Sequence, residues 1–84
     1  KKNYMKIRVH YFGLIKDETH LSQEFFEIKS KISVDVFLEK TLFIKYPSLK
    51  IIDFRIAINN EICENSSAIT DKDNISLMPF FSGG

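Results

Sequence analysis

The 84-residue sequence predicts an α+β fold in which one main helix packs on a mixed sheet of four to five strands. Several short segments alternate apolar and polar residues, which is the period of half-buried strands. One longer segment, residues 33–48, repeats apolar residues at helical spacing instead. A chain of this length is near the small end of what folds unaided. We therefore expect residues 1–84 to form a single domain with the order β-β-α-β-β-β.

The first two strands are expected to pair as a hairpin. In "MKIRVHYF" apolar side chains alternate with three basic ones, until Phe12 breaks the alternation before Gly13. The polar stretch "GLIKDETHLS" then turns the chain and has room for one helical turn. In the second strand, "QEFFEIK", Phe26 and Ile28 share one face.

The main helix is predicted over "SVDVFLEKTLFIKYPS". Ser33 is placed to act as its N-cap, and Asp35 lies in the first turn, where a negative charge complements the helix dipole. Pro47 forces the helix to stop. The centre of the apolar face consists of Phe37, Leu38 and Leu42.

The C-terminal third contains two further strands and a last one. "DFRIAIN" alternates as a strand and leads into a turn at Asn59 and Asn60, residue types that tolerate positive φ. A short strand "EIC", a polar connection "NSSAITDKDN" and the strand "ISLMPF" follow. The last strand should run parallel to the first, and Pro79, which has no N–H, argues against a central position for it.

The predicted core is apolar throughout. It consists of Ile7, Val9, Phe26, Ile28, Phe37, Leu38, Ile56, Ile58, Ile75 and Leu77.

Charge and composition exclude several classes of function. Twelve Lys and Arg balance eleven Asp and Glu, and no basic block favours a nucleic acid or an anionic membrane as partner. The apolar runs are too short to span a bilayer, and the single cysteine, Cys63, agrees with a reducing compartment. His10, His20 and Cys63 supply too few donors for a metal site. We expect a soluble, cytoplasmic protein without a bound cofactor.

The segment "PFFSGG" carries the main functional signal. Two of the three glycines of the sequence, Gly83 and Gly84, stand side by side there. Because glycine has no Cβ, the chain is thin enough at this point to enter another protein's active site. We expect residues 81–84 to form a flexible tail. Phe80 and Phe81 are adjacent and cannot both face one core, so one of them should be exposed to a partner.

From residue 5 onward the sequence resembles the small subunit of molybdopterin synthase, MoaD, a ubiquitin-like β-grasp sulfur carrier. "AINNEICENSSAITDKDNISLMPFFSGG" is similar to that family's strand, "VN" turn, "L-x-D-G-D-x-V" approach to the last strand and terminal Gly-Gly. Asn59 takes the place of the turn asparagine. The positions of the approach are occupied by Ile69, Asp71, Asp73 and Ile75. Lys72 stands where the family has glycine, which predicts a strained or differently shaped turn.

The resemblance implies a specific chemistry. Gly84 would be adenylated by an E1-like enzyme, MoeB, using ATP and Mg²⁺, and would receive sulfur from a donor such as a cysteine desulfurase to give a thiocarboxylate. The tail, with Gly83 threading, would enter the large subunit, MoaE, in a heterotetramer. Sulfur would pass to cyclic pyranopterin monophosphate to form the molybdopterin dithiolene. Catalytic groups would lie in the large subunit, so that this chain is the sulfur-donating subunit of a sulfurtransferase. The implied partner contacts are Pro79, Phe80, Phe81 and Ser82.

Other functions fit the same tail. A ThiS-like carrier for thiamine thiazole synthesis has a similar fold and tail but usually lacks the aromatic and proline segment, so "MPFF" favours the molybdopterin branch. A ubiquitin-like modifier or a tRNA-thiolation carrier would use the same two glycines. A non-catalytic interaction module would carry an inert tail, and fold alone does not separate these classes.

Overall fold

A computed structural model describes residues 4–80 of the chain. The strands are β1 (Met5–Tyr11), β2 (Gln23–Ile28), β3 (Ile32–Ser33), β4 (Phe54–Ile58), β5 (Glu61–Ile62), β6 (Ala68–Ile69) and β7 (Asn74–Pro79). The helices are α1 (Gly13–Thr19), α2 (Val34–Phe37), a π-helical segment (Leu38–Leu42), α3 (Phe43–Lys45) and a 3-10 helix (Pro47–Ile51). Among the described residues no helix is both long and apolar enough to cross a membrane.

The predicted α+β architecture is confirmed. Five strands form one mixed sheet in the order β2-β1-β7-β4-β5, and β3 and β6 form a separate two-stranded sheet. β1 and β2 are antiparallel, and β7 runs parallel to β1, both as expected. The chain between β1 and β2 holds more helix than one turn, since α1 covers seven residues. The turn residues Asn59 and Asn60 both have positive φ, 52° and 73°.

The main helix runs without interruption through α2, the π-helical segment and α3, and ends before Pro47. Ser33 occupies the N-cap position, but its hydroxyl donates to Asp35 Oδ1 at 2.5 Å and makes no bond to a helix N–H. At this end of the helix, backbone N–H groups donate hydrogen bonds to carbonyl oxygens of the loop that follows β5. Those of Val34 and Asp35 donate to the carbonyls of Ser67 and Asn65. The loop therefore caps the helix.

The core lies between the helices and one face of the sheet. Of the predicted core residues all are buried except Ile58, which is half-buried near the end of β4. Ile15, Leu49 and Ile69 are each completely buried and were not predicted, because each is an apolar residue in a segment with turn-like or polar neighbours. The apolar residues of these segments recur neither at strand nor at helix spacing over a long enough stretch to give a signal.

The polar connection 65–74 is not entirely without structure. It contains β6, which pairs with β3 so that Ile69 lies opposite Ile32 and Ala68 opposite Ser33. The sequence predicted a polar connection here without a strand, so β6 is an addition to the predicted order of elements. Burial of Ile69 beneath the main helix, whose first residues follow β3 directly, provides the physical reason for this short pairing.

The prediction that Pro79 keeps the last strand from a central position was also wrong, since β7 is the middle strand of the sheet. The N–H of Phe80 donates to Asp53 on the β4 side, so a hydrogen atom on the Pro79 nitrogen would point toward β1. There the carbonyl of Phe12 already accepts the N–H groups of Ile15 and Lys16 at the start of α1. Proline costs no ladder bond here because β1 has become helix.

Lys72 adopts a φ of 69°, which confirms the expected strained turn before β7. Only glycine takes this backbone conformation without a Cβ penalty. We expect Lys72→Gly to raise the free energy of unfolding by about 0.5 to 1 kcal/mol, the penalty minus the extra entropy of an unfolded glycine. Chemical denaturation measures it. The control is Lys31→Gly, at an exposed position without positive φ, which should be neutral or destabilising. Equal effects of the two substitutions would contradict the assignment of strain.

Candidate functional site at the root of the C-terminal tail

The described chain leaves the sheet at the carboxyl end of its central strand. Pro79 and Phe80 lie beside the end of β1 and the beginning of β4, because β7 is parallel to the first and antiparallel to the second. The predicted site residues Phe81, Ser82, Gly83 and Gly84 lie outside the described residues. The structure therefore positions the root from which these residues extend.

Close backbone packing holds this root. Gly13, with φ of 56°, begins α1 directly against Pro79. A Cβ at Gly13 would lie 3.0 Å from Cγ of Pro79, closer than carbon atoms normally approach. The third glycine of the sequence is thus required both for its backbone conformation and for space. Pro79 is half-buried as a result, and its ring faces the helical side of the molecule.

At this root, the face of the sheet that the helices do not cover carries a row of three apolar side chains and one arginine. The register places Met78 opposite Arg55, and Phe12 follows Tyr11, which lies opposite Leu77. The ring of Phe80 lies next in line, with the Arg55 guanidinium carbon 5.3 Å from its centroid, an arrangement suited to a cation–π contact. We name Phe12, Arg55, Met78 and Phe80 the tail-root surface.

Large apolar side chains are exposed on the tail-root surface. Phe80 is 53% exposed and Phe12 47% exposed, and Leu14 at the start of α1 is also exposed. Phe80 is therefore exposed. Phe81 lies outside the described residues, and the use of either phenylalanine by a partner stays a prediction. Phe12, Arg55 and Met78 were not predicted from the sequence. The available signal was an aromatic residue at position 12 on the face that Lys6, Arg8 and His10 mark as open.

A hydrogen-bonded network fixes the opposite end of β7. The buried Asp73 carboxylate accepts the N–H of Thr70 at 2.8 Å and the side-chain amide N–H of Asn59 at 2.9 Å. The Asn59 side-chain oxygen accepts the N–H of Asn74 at 2.9 Å. Asp71 accepts the N–H of Lys6 at 2.8 Å. These residues join the two turns that flank β7 and β4, so the strand that bears the tail is held at both ends.

A second polar cluster joins β2 to the end of the main helix. The Glu24 carboxylate accepts the hydroxyls of Tyr11 at 2.8 Å and Tyr46 at 2.9 Å and forms an ion pair with Lys45. Burial raises the pKa of Glu24, but the hydrogen bonds from Lys45 and the two tyrosines outweigh it and leave the pKa below its ordinary value. Burial, and then the bond to Glu24, raise the pKa of Tyr11. This cluster stabilises the fold and lies on the side of the sheet away from the tail-root surface.

The lowered pKa of Glu24 predicts a pH dependence of stability. Its contribution is complete above the ordinary carboxyl pKa and is lost as the pH falls through the lowered value. Glu24→Gln should therefore lower the free energy of unfolding by about 1 to 2 kcal/mol at pH 7, and the deficit should shrink below about pH 4. Denaturation curves at several pH values measure this. Glu27→Gln, at an exposed position on the same strand, is the control and should have little effect. A deficit that does not change with pH would contradict the prediction.

Among residues 4–80, the root holds no reactive nucleophile and no metal-binding group. Cys63 is half-buried, and burial raises the pKa of its thiol, so little reactive thiolate forms at neutral pH. Within residues 4–80, no three His, Cys, Asp or Glu side chains are grouped so as to hold a metal ion. The tail-root surface exposes aromatic rings and a guanidinium group, residue types that are enriched where proteins contact one another.

The five-stranded mixed sheet, the main helix packed across it and the central C-terminal strand define a ubiquitin-like β-grasp protein. The sequence model of the ThiS family matches residues 9–84. The chain belongs to the ThiS family, the group of small proteins that also includes MoaD-type chains.

Solved structures share this fold. The putative molybdopterin converting factor subunit 1 of Pyrococcus furiosus has a TM-score of 0.81 at 19% identity, over 89% of this chain and 97% of that one. The small archaeal modifier protein 1 of Methanosarcina acetivorans has a TM-score of 0.72 at 20% identity, over 98% and 99%. A chain from the complex of subunits 1 and 2 of the molybdopterin-converting factor of Helicobacter pylori 26695 is 30% identical, with a TM-score of 0.59 over 95% and 100%.

Proposed function

We propose that the protein is a sulfur carrier and the small subunit of a molybdopterin synthase. The observation that carries this proposal is the match to the ThiS family, which extends over residues 9–84 and so includes the Gly83–Gly84 pair. In the sequence this pair follows closely on β7, the central strand of the sheet. The 30% identity to a chain of the Helicobacter pylori subunit 1 and 2 complex favours the molybdopterin branch. Membership of the family does not separate that branch from thiamine-pathway carriers or modifiers.

The proposed chemistry takes place at Gly84. An activating enzyme transfers AMP from ATP to the terminal carboxylate with release of pyrophosphate, which converts a poor leaving group into a good one. Hydrosulfide displaces AMP directly and leaves a terminal thiocarboxylate. Where the nucleophile is a donor persulfide, its terminal sulfur displaces AMP to give an acyl disulfide, and a second thiol then attacks the donor's sulfur, forms a disulfide with it and releases the thiocarboxylate. Mg²⁺ and ATP belong to the activating enzyme, and the sulfur originates from a donor such as a cysteine desulfurase.

The tail then delivers the sulfur to a second protein. Gly83 and Gly84 enter a large subunit of the MoaE type, where cyclic pyranopterin monophosphate accepts the sulfur and the dithiolene forms. The tail-root surface supplies the contacts that hold the carrier there, together with Pro79, Phe81 and Ser82. Phe80 is the proposed central anchor because it is aromatic, exposed and adjacent to the tail.

Intact mass spectrometry tests the proposal. The protein is incubated with ATP, Mg²⁺, a sulfur source and an E1-like activating enzyme, and we expect a mass gain equal to the replacement of one oxygen by sulfur. A chain lacking Gly84 should gain nothing, whereas Cys63→Ser should gain normally, which excludes a persulfide on the single cysteine. Failure of the full-length chain to gain mass with every activating enzyme tried would instead favour an interaction module.

The molecule that accepts the sulfur distinguishes a molybdopterin carrier from a thiamine-pathway carrier. Loaded carrier is mixed with a molybdopterin synthase large subunit and cyclic pyranopterin monophosphate, and dithiolene product is measured by its oxidised fluorescent derivative. Product formation supports the molybdopterin assignment. Sulfur loading without product, combined with thiazole formation in the thiamine system, would move the assignment to the ThiS-like branch.

A further inference from the structure

The outer edge of the five-stranded sheet is formed by β2, which within residues 4–80 has β1 as its one partner strand. The strand is six residues long and contains neither proline nor glycine. The strand at the opposite edge, β5, has only two residues. A long edge strand without such interruptions is a template on which another extended chain can pair.

The hydrogen bonds of β1 determine which backbone groups of β2 point outward. The N–H of Tyr11 donates to the carbonyl of Ser22, on the β2 side, whereas the N–H of Arg8 donates to Asp73, on the β7 side. Odd-numbered residues of β1 therefore bond to the even-numbered residues of β2 that lie opposite them. The residues whose N–H and C=O groups point away from β1, and meet no partner strand in the described part of the chain, are Gln23, Phe25 and Glu27.

The two faces of the sheet beside this edge differ in chemistry. On the helical side, Phe26 and Ile28 alternate along β2 and belong to the core. On the open side, the ring of Phe25 is 51% exposed, and Lys6 Nζ and the Arg8 guanidinium carbon each lie 4.8 Å from its centroid. Both cations therefore lean from β1 toward the edge. A strand added beside β2 would alternate between an apolar face and a basic one.

The charges around the edge indicate its occupant. β1 and residues 23–31 carry four Lys and Arg residues against two Glu residues. The basic residues are Lys6, Arg8, Lys29 and Lys31, and the acidic ones are Glu24 and Glu27. The Glu24 carboxylate is already paired with Lys45. A second copy of the chain would bring the same positive excess against itself, whereas an extended segment with acidic side chains is complementary to it.

We propose that the outer edge of β2 binds an extended segment of a partner protein in which apolar and acidic residues alternate. The segment adds a sixth strand to the sheet through the outward N–H and C=O groups of Phe25 and Glu27. Its apolar residues continue the helical side beside Phe26, and its acidic residues meet the basic groups on the open side. β1 separates β2 from the strand that bears the tail, so this surface is distinct from the tail-root surface.

Two synthetic peptides test the proposal with the full chain. One is a blocked octapeptide of alternating valine and glutamate, and the other alternates valine and lysine. Hydrogen exchange followed by NMR reports pairing at the amides of Phe25 and Glu27. With the glutamate peptide at about nine times its dissociation constant, exchange at both amides should slow by about tenfold. The lysine peptide should bind more weakly by at least about tenfold, because it places like charges together.

Glu27→Pro tests the edge itself. It removes an outward N–H that no bond to β1 uses, and proline is tolerated at such an edge position. The affinity for the glutamate peptide should fall about tenfold, the effect of one lost hydrogen bond and a disturbed strand. Glu27→Gln is the matched control, since it removes the same carboxylate but keeps the N–H, and should bind at least as tightly as the parent protein. A glutamate peptide N-methylated throughout repeats the test on the unmodified protein and should also bind about tenfold more weakly.

Unchanged exchange at Phe25 and Glu27 in the presence of the glutamate peptide would overturn the proposal. Equal affinities for the glutamate and lysine peptides, or for Glu27→Pro and Glu27→Gln, would do the same. Slow exchange at these amides in the protein alone, increasing with protein concentration, would assign the edge to a second copy and so overturn it as well. None of these measurements involves sulfur or the tail, so their outcome is independent of the proposed function.

Discussion

Replacement of Leu77 by alanine is expected to lower the free energy of unfolding by about 3 to 4 kcal/mol. Leu77 is completely buried in the central strand, opposite Tyr11 on one side and Ile56 on the other. Truncation removes apolar contacts and leaves a cavity that neighbours on two paired strands cannot easily fill. Urea denaturation followed by circular dichroism measures the change.

Met78→Ala is the matched control, because Met78 is the next residue on the same strand but lies half-buried on the open face. We expect it to cost no more than about 1 kcal/mol, in proportion to the smaller area that it buries. Similar losses for the two substitutions would contradict the assignment of β7 as a strand with one buried and one open face.

The size of the Leu77 effect matters because the chain is short. At about 0.05 to 0.15 kcal/mol per residue, a chain of 84 residues has a total stability of about 4 to 13 kcal/mol. A single cavity in β7 would remove a large part of it. The same strand carries the tail, so its burial on one face and its pairing on both edges are what keep the root of the tail in a defined place.

Most of the strands and the main helix could be predicted because their signal is local. Alternation identified β1, β2 and β4, and apolar residues at helical spacing together with Pro47 bounded the helix. β6 could not be predicted, since its pairing with β3 depends on the burial of one isoleucine by a distant segment. The central position of β7 was missed for a related reason. Whether a proline costs a ladder bond depends on what its neighbour strand does at that point, and β1 turns into helix there.

The residues of the candidate site also divide into those that the local sequence could predict and those that only the folded structure brings together. Phe80 was found from its position beside the two glycines and from the rule that adjacent residues face opposite sides of a strand. Phe12, Arg55 and Met78 come from three separate segments, and only the register places them in one row. A groove lined by Leu38, Leu49 and Phe54 likewise combines the main helix, the 3-10 helix and β4. A local pattern does not reveal such an assembly.

Replacement of Phe80 by aspartate is expected to weaken binding to a molybdopterin synthase large subunit by about 100-fold, if the proposed function holds. The change removes an exposed aromatic anchor and places a carboxylate where a partner would bury apolar surface. The fold should be little affected, because Phe80 lies at the end of β7 and contributes one backbone bond, which aspartate retains. Isothermal titration calorimetry measures the affinity.

Ile44→Asp is the control for an exposed apolar residue at another place. Ile44 is 72% exposed on the main helix, on the opposite side of the sheet from the tail-root surface. It should leave the affinity within about twofold of the parent protein, as expected of residues outside an interface. Equal affinities for Phe80→Asp and the parent chain, with sulfur loading of Gly84 intact, would show that the carrier function stands but that the large subunit binds elsewhere. Loss of sulfur loading in Phe80→Asp alone would mean that the activating enzyme also reads this surface, because the two enzymes must engage the same tail in turn.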